Sequence, residues 1–484
     1  MATICVWSNG NQKDITFTPP KALHVLLEEA GFYGLRPCGG LGKCGKCAVT
    51  LTGQVSAPNE AEQKAGVRLA CQAEILGDAQ VFLPVTADIQ QIQTESEADN
   101  ITFTPADGIG AAVDIGSTTV VLRRYDLQSG KLLGQAAMIN PQASIAADVM
   151  GRIGAAMDGK LPLLQSQITD ALALLLRQAG GPVDKAVITG NTTMLYLLTG
   201  RDPKSLSCAP FEADTLFDVD VSLFDHPAYL PPCMNAFVGA DISCAVLASN
   251  MCEKKTALLC DIGTNGEIAL WKDGILYVTS TAAGPAFEGA LISCGCSSIP
   301  GAIDKVWVEE GQIRIHTIGD QDAVGICGSG LIDAVAVLLR EEIMDETGAL
   351  DEDVILAPGV TLLQKDIRAL QLAKAAIAAG IQTLLDGSGT ACEEIETFYL
   401  AGGFGSHLDI ANAAAIGLIP GELVSKTKVI GNAALAGASQ LLLSETALPA
   451  IQELAKKSRH YNLGGNPTFN ANYMEQMLFP YDED

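Results

Sequence analysis

The sequence predicts a multidomain chain, in which a small α+β domain at the N-terminus precedes a larger two-lobed α/β region. Two observations lead to this prediction. Four cysteines lie within the first 71 residues, and a strand–turn–strand segment near residue 114 recurs near residue 261. The chain has 484 residues, 48% of them hydrophobic, and is long enough for several packed cores. We therefore expect an N-terminal domain over residues 1–88, an acidic linker over 89–108 and a large domain over 109–484.

The N-terminal cysteines have the spacing of a cluster-binding loop. Cys38, Cys44 and Cys47 follow the pattern C-x5-C-x2-C in a glycine-rich run, and Cys71 lies further along the chain. Plant-type ferredoxins hold a [2Fe–2S] cluster with C-x4-C-x2-C and a distant fourth cysteine, so the first gap here is one residue longer. Glycines let the backbone wrap a cluster and direct N–H groups at its sulfur atoms. We predict that these four cysteines ligate a [2Fe–2S] cluster.

Zinc binding, disulfides and free thiols are the alternatives for the same cysteines. A structural zinc site usually has two closely spaced cysteine pairs, whereas this run has one. Disulfides need an oxidising compartment, and residues 1–8 have neither the basic start nor the apolar stretch of a signal peptide. We expect a cytoplasmic protein, while zinc or free thiols stay open at this point.

The hydrophobic pattern around the cysteines predicts a β-grasp ferredoxin-like domain. Residues 3–18 have the pattern of two short strands around a turn, residues 21–30 have helical spacing, and residues 47–55 and 79–85 alternate like strands. Residues 89–108 are polar, acidic and aperiodic, which indicates an extended linker.

A duplicated segment defines the large region. Residues 110–122 have the pattern of an apolar strand, a turn and a second strand, and residues 257–270 repeat this pattern. Each copy has a D-I-G-[ST] turn at a strand end, one beginning at Asp114 and the other, 147 positions later, at Asp261. We expect a first lobe over 109–255, a second lobe over 256–425, and C-terminal helices over 426–484 that return to the first lobe.

Turns of this kind suit a polyphosphate. Glycine lets the backbone approach a phosphate closely, and neighbouring N–H and hydroxyl groups donate to its oxygens. An aspartate at the strand end can hold Mg²⁺, directly or through water, or position the attacking water. We therefore predict Asp114 and Asp261 as the catalytic residues. The predicted phosphate contacts are Gly116, Ser117, Thr118 and Thr119 from one side, and Gly263, Thr264 and Asn265 from the other.

A third glycine-rich element, A-G-G-F-G, follows the apolar strand that begins at Phe398. Its backbone could lie against an adenine or ribose, so Gly402, Gly403 and Phe404 are the predicted adenosine contacts. Two D-I-G turns followed by this element resemble the actin/Hsp70/sugar-kinase (ASKHA) superfamily, which implies two RNase H-like lobes around ATP. An ancestral duplication that no longer binds nucleotide is the alternative.

A ferredoxin-like domain joined to an ASKHA ATPase resembles the reductive activators of corrinoid-dependent enzymes, the RACo/RamA-like group. Matching stretches include G-N-T-T-M at 190–194, A-G-P-A-F-E-G at 283–289 and G-N-A-A-L at 431–435. The resemblance implies ATP-dependent reduction of cob(II)alamin to cob(I)alamin on a corrinoid protein of a methyltransferase system. It implies a [2Fe–2S] cluster, ATP and Mg²⁺ as cofactors, and an upstream low-potential electron donor besides the corrinoid protein.

Several other residues have two interpretations. Asp241 and Glu267 are either additional site carboxylates or structural acids, and Glu288 either contacts the ribose or belongs to a buried structural pair. Gly328-Ser329-Gly330 opens an apolar helical run, where it either holds an anion or allows close packing.

Two other function classes stay open. Cys294, Cys296 and Cys327 lie in the ATPase region, and activators of 2-hydroxyacyl-CoA dehydratases are ASKHA dimers that share a [4Fe–4S] cluster. A redox-sensing ATP-binding module without catalysis is the other class. The N-terminal cysteine run argues against the dehydratase-type activator, and counting iron atoms per chain would separate it from a corrinoid activator.

The charge of the chain restricts its partners. There are 30 Lys and Arg against 56 Asp and Glu, a formal net charge of −26. Nucleic-acid phosphates and anionic membrane surfaces attract basic proteins, and no apolar run reaches the ~20 residues that span a bilayer. We predict no nucleic-acid partner and no membrane association. The apolar helical segments after Leu362 are compatible with a homodimer.

Overall fold

The computed structural model describes residues 1–8, 11–30, 32, 47–83, 103–223, 226–403 and 408–480. Of the expected linker, residues 103–108 are described and residues 89–102 lie outside the described part. Three predicted site residues, Cys38, Cys44 and Phe404, also lie outside it.

The N-terminal part is a mixed sheet with a helix packed on it. Its elements are β1 (Ala2–Ser8), β2 (Asn11–Phe17), β3 (Lys21–Ala22), α1 (Leu23–Glu29), β4 (Ala48–Val55), α2 (Glu60–Ala65), β5 (Arg68–Leu69) and β6 (Glu74–Phe82). The strand order is β2-β1-β6-β4-β5, with β1 and β6 parallel and β3 paired to β6. The predicted strand pair, helix and later strands are thus confirmed.

Side-chain alternation explains this packing. Side chains along β6 are alternately exposed and buried, because successive residues of a strand point to opposite faces. Leu23, Leu26 and Leu27 of α1 share one helix face and are completely buried in the same core.

The first lobe of the large region begins with the first D-I-G copy. Its elements are β7 (Ile109–Ile115), β8 (Thr119–Asp126), β9 (Leu132–Ile139), α3 (Val149–Ala155), α4 (Leu161–Gln178), β10 (Lys185–Gly190), α5 (Thr192–Leu198), β11 (Val219–Leu223), β12 (His226–Leu230) and α6 (Ala240–Ser249). The sheet order is β11-β12-β10-β7-β8-β9.

The second lobe begins with the second copy and carries additional small sheets. Its elements, continued to the C-terminus, are β13 (Thr256–Ile262), β14 (Gly266–Lys272), β15 (Ile275–Thr281), β16 (Ala302–Glu309), β17 (Gln312–Thr317), β18 (Gly325–Ile326), α7 (Gly328–Arg340), β19 (Val354–Ala357), β20 (Val360–Leu362), α8 (Gln364–Ser388), β21 (Thr397–Ala401), α9 (Ile410–Ala415), β22 (Thr427–Gly431), α10 (Ala433–Leu443), α11 (Ala447–Lys457), β23 (Ser458–His460) and α12 (Pro467–Glu475). The main sheet has the order β22-β21-β13-β14-β15-β23.

The two large sheets share one topology. In each, three antiparallel strands, β7-β8-β9 or β13-β14-β15, are extended by two strands parallel to the first, β10 and β12 or β21 and β22. The internal repeat seen in the sequence is therefore a repeat of the whole sheet. The fold is the expected multidomain α+β and α/β architecture, a β-grasp domain followed by two RNase H-like lobes.

Helices α6 and α10 form a layer between the two sheets. Ile242 and Ala433 pack against the second sheet, while Cys244 and Leu435 pack against the first. The helices approach so closely that a Cβ added at Gly437 would lie 2.1 Å from the carbonyl oxygen of Cys244. Any side chain at this glycine would push the two helices apart.

Strand β22 lies in the second sheet, although residues 426–484 were expected to form helices that return to the first lobe. Helix α10 does pack against β7 and β10 of the first lobe. Strand β23 also lies in the second sheet, and α12 packs on α8, so we propose that the second lobe includes β22, β23 and α12. Among the helices that the structure describes, none is both long and apolar enough to cross a lipid bilayer.

Candidate functional site

The first D-I-G turn joins β7 to β8 and is fixed by hydrogen bonds within the first lobe. The Gly116 N–H donates to the Thr119 carbonyl at 2.9 Å, which closes the turn. Asn140 fixes the turn through two hydrogen bonds. Its side-chain amide donates to the Gly116 carbonyl at 2.8 Å, and its backbone N–H donates to the Thr118 carbonyl at 2.8 Å. Ser117 and Thr118 are at the accessible rim of the turn.

A buried arginine lies behind this turn. Arg152 of α3 is completely buried, and its guanidinium donates to the carbonyl of Ser117, to the carbonyl of Ala146 at 3.0 Å and to the side chain of Gln142 at 3.3 Å. Burial lowers the pKa of Arg152 to about 10, so the group is still charged at neutral pH. The first turn therefore has a fixed positive charge at its back. Arg152 was not predicted from the sequence, since a single arginine on a helix carries no motif.

The second turn joins β13 to β14 and has a similar internal bond. The Gly263 N–H donates to the Asn265 carbonyl at 2.9 Å. The Thr264 carbonyl accepts from Gly284 N–H at 2.9 Å, which ties the turn to the loop after β15. The side chains of Thr264 and Asn265 are partly exposed.

Four carboxylates, two from each lobe, lie close enough to influence one another near the two turns. We call them the carboxylate floor, and we call the space between the two turns the cleft. Asp114 lies near the end of β7, and Asp261 lies near the end of β13 directly opposite Glu267 of β14. Asp241 is in the first turn of α6. The Asn432 amide, at the start of α10, donates to Asp114 at 3.1 Å. The structure therefore brings the two predicted aspartates together with the two candidate acids of the sequence analysis.

Burial and mutual repulsion raise the pKa values of these carboxylates. Burial raises the pKa of Asp114 to about 6, although the Asn432 hydrogen bond opposes this shift. Burial and then the charge of Asp114 raise the pKa of Asp261 to about 7. The pKa values of Asp241 and Glu267 are also raised, by burial first and by the neighbouring carboxylates second. Such a cluster favours a bound divalent cation or protons.

The donor chemistry of this floor fits Mg²⁺, which prefers carboxylate oxygens and retains several waters. Among the described residues, no three of the Asp, Glu, His and Cys side chains converge closely enough to hold a metal ion directly.

The third glycine-rich element lies beside the second turn. Gly402 follows β21 and has a φ of 92°, and its N–H donates to the Gly431 carbonyl at 3.0 Å. A Cβ added at Gly402 would lie 2.5 Å from a carboxylate oxygen of Asp261, so backbone conformation and space both require glycine. Gly403 is exposed next to it.

Glu288 lies between the two turns. Its carboxylate accepts from the Thr264 hydroxyl at 2.8 Å and from the Thr118 hydroxyl at 3.3 Å. Burial raises the pKa of Glu288, while both threonine hydrogen bonds and the charge of Arg152 oppose that shift. The sequence analysis considered a ribose contact or a structural pair, and it had no signal for a bridge between the turns.

Two of the predicted cluster ligands lie together in the N-terminal domain. Cys47 precedes β4 and Cys71 follows β5, and the pairing of these strands places the two sulfur atoms 3.2 Å apart. Both side chains are buried. The segment before Cys71 is fixed by Glu62 of α2, which accepts from the Arg68 side chain and from the Leu69 N–H, each at 2.9 Å. Two adjacent buried thiols fit a thiolate-held cluster.

The cysteines of the ATPase region lie around β18, where Cys294 and Cys296 both form backbone hydrogen bonds with Ile326. Cys294 and Cys296 flank Gly295, which bridges to Ile326, and the buried Cys327 thiol contacts the Ile303 carbonyl at 3.3 Å. Within the described residues these cysteines form no metal-holding group.

The start of α7 is built for close packing. A Cβ at Gly330 would lie 2.2 Å from the Ile303 carbonyl oxygen, and the Ser329 hydroxyl donates to the Asp304 carbonyl at 3.1 Å. Of the two interpretations of Gly328-Ser329-Gly330, these contacts favour packing.

Comparisons with known proteins identify the family. Residues 7–76 match the 2Fe-2S iron-sulfur cluster binding domain, residues 109–254 the RACo middle region, and residues 255–484 the C-terminal ASKHA domain of RACo. The chain is 36% identical over 416 residues to the corrinoid activation enzyme RamQ of Eubacterium limosum, covering 76% of this chain and 70% of that protein. The chain belongs to the family of corrinoid reductive activators.

Two further family members support this assignment. The chain is 28% identical over 341 residues to the [Co(II) methylated amine-specific corrinoid protein] reductase of Methanosarcina barkeri, covering 61% of this chain and 63% of that one. The solved structure of a reductive activator for a corrinoid, iron-sulfur protein superposes with a TM-score of 0.71 at 27% identity, covering 99% of this chain and 98% of that one. The chain thus has an iron–sulfur cluster binding domain and a C-terminal ASKHA domain, as its family does.

Proposed function

We propose that this activator uses ATP to reduce the cobalt of a corrinoid protein from Co(II) to Co(I), with the electron supplied from its [2Fe–2S] cluster. The observation that carries the proposal is the cleft itself. Hydroxyl-bearing turns from two lobes, centred on Thr118 and Thr264, face one another over a floor of carboxylates. This arrangement suits a metal-bound polyphosphate. Membership of the family is the ground for proposing a corrinoid protein as the partner.

The proposed roles follow from position. Asp114 and Asp261 would hold Mg²⁺, which would supply charge to the phosphates and a site for the attacking water, and Asp241 and Glu267 would be neighbouring acids that lose protons on metal binding. Arg152 supports the first turn with positive charge. The proposed phosphate contacts are Gly116, Ser117, Thr118, Thr119, Gly263, Thr264 and Asn265; the proposed adenosine contacts are Gly402, Gly403 and Phe404; and the proposed cluster ligands are Cys38, Cys44, Cys47 and Cys71.

The need for ATP follows from the energetics of the electron transfer. When bound, a plant-type cluster supplies a one-electron carrier with a potential near about −400 mV. Reduction of corrinoid Co(II) to Co(I) is a harder step, so the transfer is uphill without coupling. We propose that nucleotide binding or hydrolysis closes the two lobes over the cleft. Closure would stabilise the complex with the corrinoid protein and alter the coordination of its cobalt.

The layer of α6 and α10 provides the mechanical link for this closure. Asp241 lies in the first turn of α6, and Asn432, which donates to Asp114, caps α10. Both helices pack on both sheets. A change in the charge or hydration of the carboxylate floor would therefore act directly on the two elements that join the lobes.

The test is an anaerobic assay with a Co(II) corrinoid protein, in which the Co(I) absorbance band is followed with and without Mg-ATP. We expect Co(I) only when Mg-ATP and reduced activator are both present. Cys71→Ser should abolish it, whereas Cys252→Ser, a change at a half-buried cysteine of the ATPase region, should leave it intact. ATP-stimulated Co(I) formation by Cys71→Ser would overturn the proposed electron path. ATP-independent Co(I) formation by the wild type would overturn the proposed role of the nucleotide.

A further inference from the structure

The carboxylate of Glu288 binds the same hydroxyl groups that the proposed function assigns to phosphate. It accepts from Thr264 of the second lobe at 2.8 Å, and each of its two oxygens lies 3.3 Å from the hydroxyl of Thr118 of the first lobe. The two threonines are thus joined through one anionic side chain. A phosphate group offers oxygens of similar size and charge to such donors.

The position of Glu288 is set by its loop. Gly284, with a φ of 78°, donates to the Thr264 carbonyl at 2.9 Å and attaches the loop to the second turn. Phe287 is buried in the core of the second lobe, and a Cβ at Gly289 would lie 2.4 Å from the Cys296 carbonyl oxygen. Because both flanks are anchored, the loop presents Glu288 to the space between the two turns.

The charges around this bridge resemble those expected around a bound phosphate. Arg152 lies behind the first turn and attracts Glu288, and the two hydroxyls stabilise its ionised form. A triphosphate that enters between the turns would meet the Glu288 carboxylate as a like charge and as a competitor for the same donors.

We propose that Glu288 occupies the place of a phosphate group between the turns when nucleotide is absent, so that binding of a nucleoside di- or triphosphate must break the Thr118–Glu288–Thr264 bridge. This inference rests on the proposed nucleotide-binding function. Without nucleotide, the bridge links the two lobes. Because only nucleotides whose phosphates reach between the turns must break it, the bridge lowers the affinity for nucleoside di- and triphosphates. A nucleoside monophosphate, which does not reach between the turns, leaves the bridge intact.

The test is calorimetric titration of the full-length protein with AMP, Mg-ADP and the non-hydrolysable Mg-AMPPNP. Glu288→Gln keeps the length and the hydrogen-bond acceptor but removes the charge. We expect it to bind Mg-AMPPNP about tenfold more tightly than the wild type, because one close like charge is removed, with AMP unchanged. Glu288→Asp keeps the charge but is too short to reach both threonines, so its affinity for Mg-AMPPNP should lie between the two. Glu352→Gln, at an exposed glutamate of the same lobe, serves as the matched control.

The possible outcomes separate this inference from the proposed function. If Glu288→Gln binds Mg-AMPPNP no more tightly than the wild type does, Glu288 does not compete with phosphate. That result would overturn the proposed bridge but leave the nucleotide site in place. The same would follow if AMP and Mg-AMPPNP gained affinity equally. If Glu288→Gln does not fold, Glu288→Asp decides, since equal or weaker binding than wild type overturns the proposal. Absence of nucleotide binding to the wild type would overturn the proposed site and the bridge together.

Discussion

The two copies of the strand–turn–strand unit share their backbone but differ in charge. In the first copy, the turn after Asp114 is supported by the buried guanidinium of Arg152. In the second copy, Asp261 lies opposite Glu267 in the strand pairing, and both of their pKa values are raised. The aspartates of both copies belong to the carboxylate floor, but the first turn also has a buried cation behind it.

This difference indicates a division of labour after duplication. A positive charge behind a glycine turn favours phosphate oxygens, whereas clustered carboxylates favour a divalent cation. We infer that Arg152 gives the first turn the larger part in phosphate binding, and that carboxylates of both lobes control the metal ion, with Asp261 the chief among them.

Removing the charge of Asp261 should affect the metal-dependent chemistry most. We expect Asp261→Asn to lower kcat for ATP hydrolysis by about 100-fold or more, because the metal and the attacking water lose their organising carboxylate. Binding of metal-free ATP should change little. Steady-state hydrolysis assays and calorimetry measure the two effects. Asp273→Asn, at the exposed hairpin between β14 and β15, is the matched control. An Asp261→Asn protein with more than half of wild-type kcat would contradict the metal role of Asp261.

Changing Arg152 should affect the first turn and the fold around it. Arg152→Lys keeps a positive charge but cannot donate to Ser117, Ala146 and Gln142 together. We expect the free energy of unfolding to fall by about 2–4 kcal/mol, since buried acceptors lose their donor, and ATP affinity to fall about tenfold with or without Mg²⁺. Urea unfolding and calorimetry provide the measurements, with the exposed Arg177→Lys as control. A loss of ATP affinity seen only with Mg²⁺ would mean that Arg152 acts through the metal ion, and it would contradict the proposed difference between the two turns.

The smallest expected effect is on the pH dependence of stability. The pKa values of Asp114, about 6, and Asp261, about 7, lie above those of ordinary carboxyl groups, so the folded protein binds protons more tightly than the unfolded chain. This contribution to stability is fully present at acidic pH and is lost as the pH rises through these pKa values. In EDTA, we expect the Tm to fall by about 3 °C between about pH 5 and pH 7.5 because of this floor.

Added Mg²⁺ should reverse this loss, and more strongly at the higher pH, where the carboxylates are ionised. Differential scanning fluorimetry of wild type and Asp261→Asn isolates the contribution of the floor from other titrating groups. The variant should show the shallower pH slope and the smaller Mg²⁺ effect. Equal slopes in the two proteins would mean that the raised pKa of Asp261 does not contribute.

The sequence could predict the parts of the cleft that are contiguous in the chain. Asp114 and Gly116 belong to one short apolar-flanked pattern, and so do Asp261 and Gly263, because a strand end and its turn are local structures. The β-grasp strands and the duplicated sheets could be predicted for the same reason. The order of strands within each sheet was not predicted, because pairing between strands depends on contacts distant in the chain.

The remaining parts of the cleft depend on contacts between distant segments. Thr118 and Glu288 are 170 positions apart, Asp114 and Asn432 are 318 apart, and Arg152 reaches a carbonyl 35 positions away. No local pattern encodes such pairs, since tertiary packing alone sets them. For this reason the sequence analysis named Asp241 as a candidate acid without placing it beside Asp114, and it missed Arg152 entirely.

The most direct test of the account is to follow the cluster and the cobalt together after rapid anaerobic mixing. Pre-reduced activator would be mixed with a Co(II) corrinoid protein, with Mg-ATP, with Mg-ADP or without nucleotide, while the absorbance of both centres is recorded. We expect cluster oxidation and Co(I) formation to proceed at one rate, with one Co(I) formed per cluster oxidised, and only with Mg-ATP. Co(I) formation without cluster oxidation, or at an equal rate with Mg-ADP, would contradict ATP-driven electron transfer by this protein.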